Sequence, residues 1–436
     1  MTDFEAAIAD AVALHHEGRL AEAEALYVTM LEAYPNHAGV LHNLGVVVAQ
    51  RGDPAKALDW FEEALAARLD YPSANLNKAG ALYELGRLKE AANAYKKFLA
   101  AEPNHHDARF RLGLIQNALG HTQMSLACFA RTSEIRRGAA TVSAISKLKL
   151  EHDIAQFRFL ASAGIEADRL SPLADQYTLL LDEIDWPNDD EPISLTDKQL
   201  GRITATLASS INIGDAPEIP GSSLHSSLDV AAITRDYAAC APGMVLVDNF
   251  LAPNVLGALR RYLLHSTIWF DFTHVRGFLA AYLEDGLACP LLLQIAADLR
   301  TTFPELIGNH TLSQAWAFKC VGDCQSIDVH MDAAAVSVNF WITPNAANLD
   351  SDHGGLVLYD TPPPSDWRIA GYGQDIVAIR EFLARKGSQR TIVPYRENRA
   401  IIFDSNLFHE SDTVDFKSGY ENHRINITIL FGQQSR

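Results

Sequence analysis

Residues 4–139 carry a pattern of small, aromatic and turn-forming positions that repeats every 34 residues. The turn position of each repeat is glycine: Gly18, Gly52, Gly86 and Gly120. A small residue occupies a second column: Ala11, Gly45, Ala79 and Gly113. An aromatic residue occupies a third: Tyr27, Phe61, Tyr95 and Phe129. Small residues let two helices approach closely and glycine turns the chain between them, so the pattern predicts stacked helix pairs, an α-solenoid.

Residues 143–184 keep apolar residues at helical spacing, which predicts further helices after the solenoid. Two segments rich in Pro, Gly, Asp and Ser, 185–192 and 214–223, predict loops on either side of one helix near 195–210. We therefore expect a helical connector with loops over residues 140–242, with a domain boundary between 186 and 242.

Beyond residue 242 the pattern changes to short runs of β-branched and aromatic residues. Strands are predicted at 244–250, 337–343, 355–360, 399–404 and 424–431, and helices near 252–266 and 288–300. Many short strands separated by turn residues are typical of a barrel or sandwich. The chain is therefore expected to be multidomain, with an α-solenoid and a C-terminal β domain, 243–436, that has flanking helices.

Composition limits the classes of partner and the cellular compartment expected for this chain. The 436 residues include 54 acidic and 36 basic side chains, a net charge of −18 that disfavours broad contact with nucleic-acid phosphates. No stretch approaches the roughly 18 apolar residues of a membrane span, and the first residues do not resemble a signal peptide. Five cysteines fit a reducing compartment, and Cys320 and Cys324 are expected to be free buried thiols. We expect a cytoplasmic protein that binds neither nucleic acid nor membrane.

Three residues of the β domain have the chemistry of metal ligands. His330 and Asp332, in DVHMDAA, project to the same side if this segment is a strand, because alternate residues share a face. His409 follows the predicted strand 399–404. Two imidazoles and one carboxylate suit a divalent metal and leave one face of an octahedron open. We therefore predict that His330, Asp332 and His409 form a catalytic metal site.

The last two groups of candidate residues lie on predicted strands. Arg424, Asn426 and Thr428 share one face of the final strand. A buried arginine is costly unless it meets an anion, and a dicarboxylate would match its bidentate geometry. On the strand 337–343, Asn339 has the parity of the metal-side face, so its amide could hydrogen-bond a ligand carboxylate.

Both parts of the chain resemble known families. The 34-residue pattern resembles the tetratricopeptide repeat, which implies a superhelix with a concave groove. The order His330-x-Asp332, GGLVLYD, NRAIIFDSNLFH with His409, and an arginine on the next strand is similar to Fe(II)/2-oxoglutarate-dependent dioxygenases of the prolyl-hydroxylase-like branch, over roughly 243–432.

The second resemblance implies a double-stranded β-helix, or jelly-roll, and a hydroxylase that uses Fe(II), 2-oxoglutarate and O2. His330, Asp332 and His409 would hold the iron, and Arg424 would hold the distal carboxylate of 2-oxoglutarate. Many relatives have Arg-x-Ser where this chain has Arg424-Ile425-Asn426. Asn426 is therefore expected to take the place of the serine.

The substrate stays open between two classes. The repeats could present a protein or peptide side chain to the iron, because a solenoid of this kind commonly binds polypeptides. Alternatively, the substrate is a small molecule, such as an amino acid or natural-product intermediate, and the repeats serve homo-oligomerisation or scaffolding. A scaffold with a degenerate site is a third possibility, which would need a missing ligand or anchor, and none is missing.

A few other side chains near these motifs have ambiguous roles. We expect His353 and His423 to be ordinary loop histidines, and Trp341 and Tyr359 to be packing residues. The strand before His330 carries Trp316 and Lys319, either of which could point inward.

Overall fold

The computed structural model describes residues 3–139, 143–187, 191–240, 243–273, 277–322, 324, 327–364, 367 and 375–433. The chain divides into two compact units, Met1–Ile135 and Arg136–Arg436. The predicted boundaries at 139/140 and 242/243 adjoin residues 140–142 and 241–242, which lie outside the described residues.

The first part of the chain is a series of helices joined by short turns: α1 (Asp3–His16), α2 (Leu20–Ala33), α3 (Ala38–Gln50), α4 (Pro54–Ala67), α5 (Pro72–Glu84), α6 (Leu88–Ala101), α7 (His106–Ala118) and α8 (Thr122–Ala139). Local sequence sets the helix starts. Asp53 caps α4 by accepting a hydrogen bond from the backbone N–H of Lys56 at 3.0 Å, and Pro54 occupies the first turn. At the preceding turn, Gly52 has a φ of 89°, which glycine adopts without strain.

The small and aromatic columns of the repeat meet inside the helix pairs. A Cβ added to Gly45 would lie 2.6 Å from the ring of Phe61, and one added to Gly113 would lie 2.7 Å from the ring of Phe129. Both rings are buried. The glycines are therefore needed for close helix packing, as the 34-residue pattern predicts.

Two glycine substitutions test this packing. Gly45→Ala is expected to destabilise the first unit by about 1–3 kcal/mol, because the added methyl group overpacks against Phe61. The control is Gly80→Ala in α5, where no atom lies within 4 Å of the new Cβ. That variant should gain roughly 0.5–1 kcal/mol from better helix propensity. Urea unfolding followed by circular dichroism measures both, and equal effects of the two substitutions would contradict the packing argument.

The helices of the second unit are α9 (Lys147–Ser162), α10 (Ala167–Glu183), α11 (Asp197–Leu207), α12 (Val230–Ala239), α13 (Pro253–His265), α14 (Pro290–Thr302) and α15 (Ile376–Lys386). The predicted helices near 195–210, 252–266 and 288–300 are present as α11, α13 and α14. Helix α9 belongs to the core of this unit, since the Gln156 amide donates hydrogen bonds to the carbonyls of Leu264 and Ser266 and to the Tyr420 hydroxyl.

The strands are β1 (Ala144–Ile145), β2 (Ile193–Ser194), β3 (Met244–Val247), β4 (Phe278–Tyr282), β5 (Leu312–Cys320), β6 (Val336–Trp341), β7 (Leu356–Tyr359), β8 (Arg390–Val393), β9 (Ala400–Asp404), β10 (His409–Ser411) and β11 (Ile425–Phe431). All five strands predicted after residue 242 are present, as β3, β6, β7, β9 and β11. The expectation that His330 and Asp332 share a strand is wrong: among the described residues around them, only His330 forms an isolated β-bridge.

Two antiparallel sheets face each other in this unit. The larger has the order β3-β9-β6-β11-β5-β4 and the smaller has the order β10-β7-β8. One buried cluster joins them through side chains of both sheets: Trp341, Ile401 and Phe403 from the larger, and Leu356, Leu358 and Val393 from the smaller. The predicted β domain is therefore built on two facing antiparallel sheets.

Register decides which side chains of the larger sheet point between the sheets. Trp341 on β6 is paired with Asn426 on β11, and Asn339 is paired with Thr428. Directly paired residues share a face, and Trp341 belongs to the cluster between the sheets. All four side chains therefore lie on the inner face, whereas residues of opposite parity, such as Ile425, lie on the outer face.

Candidate metal centre and anion pocket

His330, Asp332 and His409 come together at one place in the second unit. One potential ligand atom from each residue lies within 4.8 Å of the others. The backbones of His330 and His409 pair directly, with N–H to carbonyl distances of 3.0 and 2.9 Å. This bridge brings together two segments that are distant in sequence, so the three predicted ligands form one cluster.

Both histidine rings are held with the same nitrogen pointing inward. Nδ1 of His330 lies 2.7 Å from the carbonyl of Asp328, and Nδ1 of His409 lies 2.9 Å from the carbonyl of Leu407. A carbonyl oxygen only accepts hydrogen bonds, so these contacts assign the proton to Nδ1 and leave Nε2 with a free lone pair. The Nε2 atoms lie 4.0 and 3.6 Å from oxygens of Asp332. The arrangement matches that of histidines that bind a metal through Nε2.

Asp332 is fixed by a serine that the sequence did not single out as functional. The Ser337 hydroxyl donates to Oδ2 of Asp332 at 2.6 Å, and it lies 2.8 Å from the Ser405 hydroxyl. The Asp332 side chain is 4 % exposed and the His330 side chain 33 % exposed, so the cluster is open to solvent on the side of His330. Although the His330 side chain is partly exposed, the surrounding protein removes water from its ring, and this desolvation together with the neighbouring His409 lowers the pKa of His330, which favours the neutral imidazole that a metal requires.

Arg424 is a buried cation immediately before β11. Its Nε and Nη2 atoms donate to the carbonyls of Gly354 and Gly355 at 2.6 and 3.1 Å, and Nη1 donates to Oδ1 of Asn426 at 2.9 Å. None of the salt bridges between described residues involves Arg424, and the nearby Asp412 pairs with His353 instead. Burial lowers the pKa of Arg424 to about 10, partly offset by Tyr395 and Asp412, so the group stays charged at neutral pH.

The two predicted asparagines have different positions. Asn426 contacts Arg424 directly, as described, and orients the guanidinium. Asn339 is buried and donates through Nδ2 to the Thr428 hydroxyl at 2.8 Å, while its Oδ1 has no hydrogen-bond partner among the described residues. An amide nitrogen carries two N–H groups, so the bond to Thr428 leaves one of them, and the bond of Asn339 to a ligand carboxylate stays a prediction.

The neighbouring histidines differ from each other. His353 lies 2.9 Å from Oδ2 of Asp412, and this hydrogen bond raises the pKa of His353. His423 is part of a buried group around Lys319, and burial together with that lysine lowers the pKa of His423 to about 3. Neither ring belongs to the cluster of His330, Asp332 and His409.

The strand β5 directs Trp316 and Lys319 to opposite faces. Trp316 is paired with Thr428 and so lies on the inner face, whereas Lys319 is paired with Ile425 on the outer face. Lys319 is 0 % exposed and lies over the rings of Trp269 and Tyr420, at 4.2 and 4.3 Å from their centres. Lys319 is therefore separated from the metal cluster by the sheet itself.

The cysteines at the end of β5 are joined. Cys320 and Cys324 form a disulfide with a Cα–Cα distance of 5.9 Å, so the expectation of free thiols at these two positions is wrong. The two cysteines are only four positions apart in sequence, and this spacing alone does not distinguish a disulfide from two buried thiols. Cys128, Cys240 and Cys289 are free.

Comparison with known proteins identifies the repeats. Tetratricopeptide-repeat family models match residues 5–70 and 76–123. The N-terminal region of the chain therefore contains tetratricopeptide repeats, and the predicted solenoid class is confirmed. Within the described ranges, no helix combines the length and apolar character needed to cross a membrane.

The similar proteins match parts of the chain. The chain is 33 % identical over 116 residues to the probable UDP-N-acetylglucosamine--peptide N-acetylglucosaminyltransferase SPINDLY of Hordeum vulgare, which is 26 % of this chain but 12 % of that protein. It is 43 % identical over 58 residues to an uncharacterized protein of Methanocaldococcus jannaschii, covering 13 % of this chain and 67 % of that one. A crystal structure of MamA protein aligns with a TM-score of 0.30 and 19 % identity, over 40 % of this chain and 88 % of that chain.

Proposed function

We propose that the second unit is an Fe(II)- and 2-oxoglutarate-dependent dioxygenase that hydroxylates its substrate. One observation carries the proposal: the inner face of the larger sheet links a two-histidine, one-carboxylate cluster to a buried arginine that has no carboxylate partner among the described residues. Ser337 and Trp341 mark the two ends of this row on β6. They are four residues apart, roughly 13 Å along a strand, which leaves room for a metal ion and a short dicarboxylate.

The three candidate ligands fit iron(II). Two neutral imidazoles and one carboxylate are the donor set of non-haem iron oxygenases, and they leave three of six coordination positions for cosubstrate and O2. The bound metal supplies the redox chemistry that couples O2 and 2-oxoglutarate to oxidation of a C–H bond. The protein contributes geometry: the Asp328 and Leu407 carbonyls fix the two rings, and Ser337 fixes Asp332.

Arg424 fits the distal carboxylate of 2-oxoglutarate. A guanidinium has five N–H donors, and the hydrogen bonds to Gly354, Gly355 and Asn426 use three of them. The remaining two can bind a carboxylate bidentately. No carboxylate among the described residues pairs with the buried charge of Arg424. An anion bound beside it would compensate that charge, so the arginine favours a dicarboxylate cosubstrate over a neutral one.

We further propose a double-stranded β-helix as the core and a protein or peptide as the substrate. The two facing antiparallel sheets, with two of the three candidate ligands on the bridge between residues 330 and 409, support the first. The tetratricopeptide repeats support the second, because their superhelix offers a groove suited to polypeptide segments.

Anaerobic titration of the full chain tests the core proposal. We expect one equivalent of Fe(II) to bind per chain, and 2-oxoglutarate then to produce a visible metal-to-ligand charge-transfer band. Admission of O2 should convert 2-oxoglutarate to succinate. A chain that binds Fe(II) without any charge-transfer band in the presence of 2-oxoglutarate would contradict the proposal.

A fractionated cell lysate tests the substrate class. Succinate production should rise with the macromolecular fraction and lose that stimulation after the fraction is treated with protease. Stimulation confined to the small-molecule fraction would contradict a polypeptide substrate and favour a small one.

A further inference from the structure

Trp341 carries a buried hydrogen-bond donor that no described residue accepts. The side chain is 0 % exposed, and its Nε1 has no partner in the described part of the chain. Buried indole N–H groups usually have an acceptor, because an unsatisfied donor away from water is unfavourable. The acceptor is therefore expected to belong to a bound molecule.

This donor lies beside Arg424. Trp341 is paired with Asn426 across β6 and β11, and Asn426 accepts a hydrogen bond from Nη1 of Arg424 at 2.9 Å. The Cζ atom of Arg424 is 6.0 Å from the centre of a ring of Trp341. The indole and the guanidinium are therefore buried neighbours on the inner face of the larger sheet.

The free donors of this pair match a carboxylate. Arg424 has two N–H groups left, and Trp341 adds one. A carboxylate has two oxygens with about four lone-pair positions, enough for all three donors. Tyr395, an aromatic neighbour with a hydroxyl, has its ring centre 5.9 Å from that of Trp341, but this hydroxyl already donates to the carbonyl of Thr343. Trp341 therefore offers a free donor beside Arg424.

We propose that the indole N–H of Trp341 donates a hydrogen bond to the same distal carboxylate of 2-oxoglutarate that Arg424 binds. The pair thereby selects a dicarboxylate over a 2-oxo acid that has no second carboxylate. This inference rests on the proposed function, and it assigns Trp341 a binding role in place of the packing role expected from sequence.

Two matched tryptophan variants test the inference. Trp341→Phe keeps an aromatic ring and removes the N–H. Trp269→Phe is the control, because Trp269 is equally buried but its Nε1 donates to the carbonyl of Leu263 at 3.2 Å. Anaerobic titration of the iron-loaded protein measures the Kd for 2-oxoglutarate, and thermal unfolding of the protein without 2-oxoglutarate measures stability.

The two variants should behave in opposite ways. Trp341→Phe is expected to raise the Kd for 2-oxoglutarate roughly tenfold or more, the effect of losing a hydrogen bond to a charged group. Trp269→Phe should leave this Kd unchanged but lower the unfolding midpoint more than Trp341→Phe, because only Trp269→Phe removes a hydrogen bond made within the protein.

A second ligand measures what the distal carboxylate alone contributes to binding. 2-Oxopentanoate has the same chain length as 2-oxoglutarate but ends in a methyl group, so its Kd should be the same for the native chain and for Trp341→Phe. An unchanged Kd for 2-oxoglutarate in Trp341→Phe, with normal binding by the native chain, would overturn this inference alone. A native chain that binds Fe(II) but not 2-oxoglutarate would overturn the proposed function as well.

Discussion

Replacing Asp332 with alanine is expected to abolish turnover and to weaken Fe(II) binding by at least about 100-fold, since loss of a supporting hydrogen bond alone commonly costs 10–100-fold. Asp332 is the carboxylate of the cluster, and its oxygens lie 4.0 and 3.6 Å from Nε2 of His330 and His409. Without it, two neutral imidazoles would have to hold a dication with no compensating charge. His330→Ala should have the same effect. Anaerobic calorimetry with Fe(II) alone measures the affinity, independently of turnover.

Graded variants make the metal-binding result specific. Ser337→Ala removes the hydrogen bond to Asp332 and the contact with the Ser405 hydroxyl but keeps the ligand itself, so it should weaken Fe(II) binding by roughly 10–100-fold, less than loss of the ligand. His225→Ala is the control, because the His225 ring contacts Ser227 and lies outside the cluster; its Fe(II) affinity should equal that of the native chain. Retained Fe(II) affinity or succinate production in Asp332→Ala or His330→Ala would contradict the assignment of the ligands.

Replacing Arg424 with methionine should raise the Kd and KM for 2-oxoglutarate by roughly 100-fold or more, while Fe(II) affinity stays within about threefold of native. The physical reason is that a buried carboxylate loses its charged partner, which typically costs about 3–5 kcal/mol. Arg424→Lys should be intermediate, because lysine keeps the charge but not the planar fork. The anaerobic charge-transfer titration gives the Kd, and thermal unfolding shows whether each variant is folded.

A second arginine of the same sheet controls for general effects of charge. Arg399 precedes β9 and makes two hydrogen bonds to Asp248, at 2.6 and 3.0 Å. Its charge is already compensated within the protein, so Arg399→Met should leave the Kd for 2-oxoglutarate unchanged. A folded Arg424→Met protein with native affinity for 2-oxoglutarate would show that the distal carboxylate binds elsewhere.

The alternation of residues along the strands predicted which side chains share the inner face of the larger sheet. Alternation within β6 and β11 predicts that Ser337, Asn339 and Trp341 share a side, as do Arg424, Asn426 and Thr428, and the observed register joins the two sets. The same pattern could not predict the segment that contains His330 and Asp332. That segment is held by the bridge to His409 rather than by a continuous strand, and such a bridge depends on a chain segment distant in sequence.

For a similar reason, the sequence could not predict which hydrogen bonds the side chains on the inner face make. Asn339 was predicted to hydrogen-bond a ligand carboxylate through its amide, and only the structure shows that one of its two N–H groups donates to the neighbouring Thr428 hydroxyl. Trp341 was expected to be a packing residue, and only its surroundings show that Nε1 has no partner among the described residues. The residue type shows which hydrogen bonds are possible, while the neighbours across the sheet decide which are made.

By itself, the sequence determined the helix pairs of the repeat region, the main strands of the β domain and the residue types of the candidate site. These follow from local spacing: a 34-residue period, alternation along strands, and side chains with metal-binding or carboxylate-binding chemistry. Only the tertiary structure decided that His330 and His409 present Nε2 to Asp332, and that the described carboxylates leave Arg424 unpaired. Those properties depend on which carbonyls, hydroxyls and carboxylates two facing sheets bring within hydrogen-bond distance, and local spacing does not specify that packing.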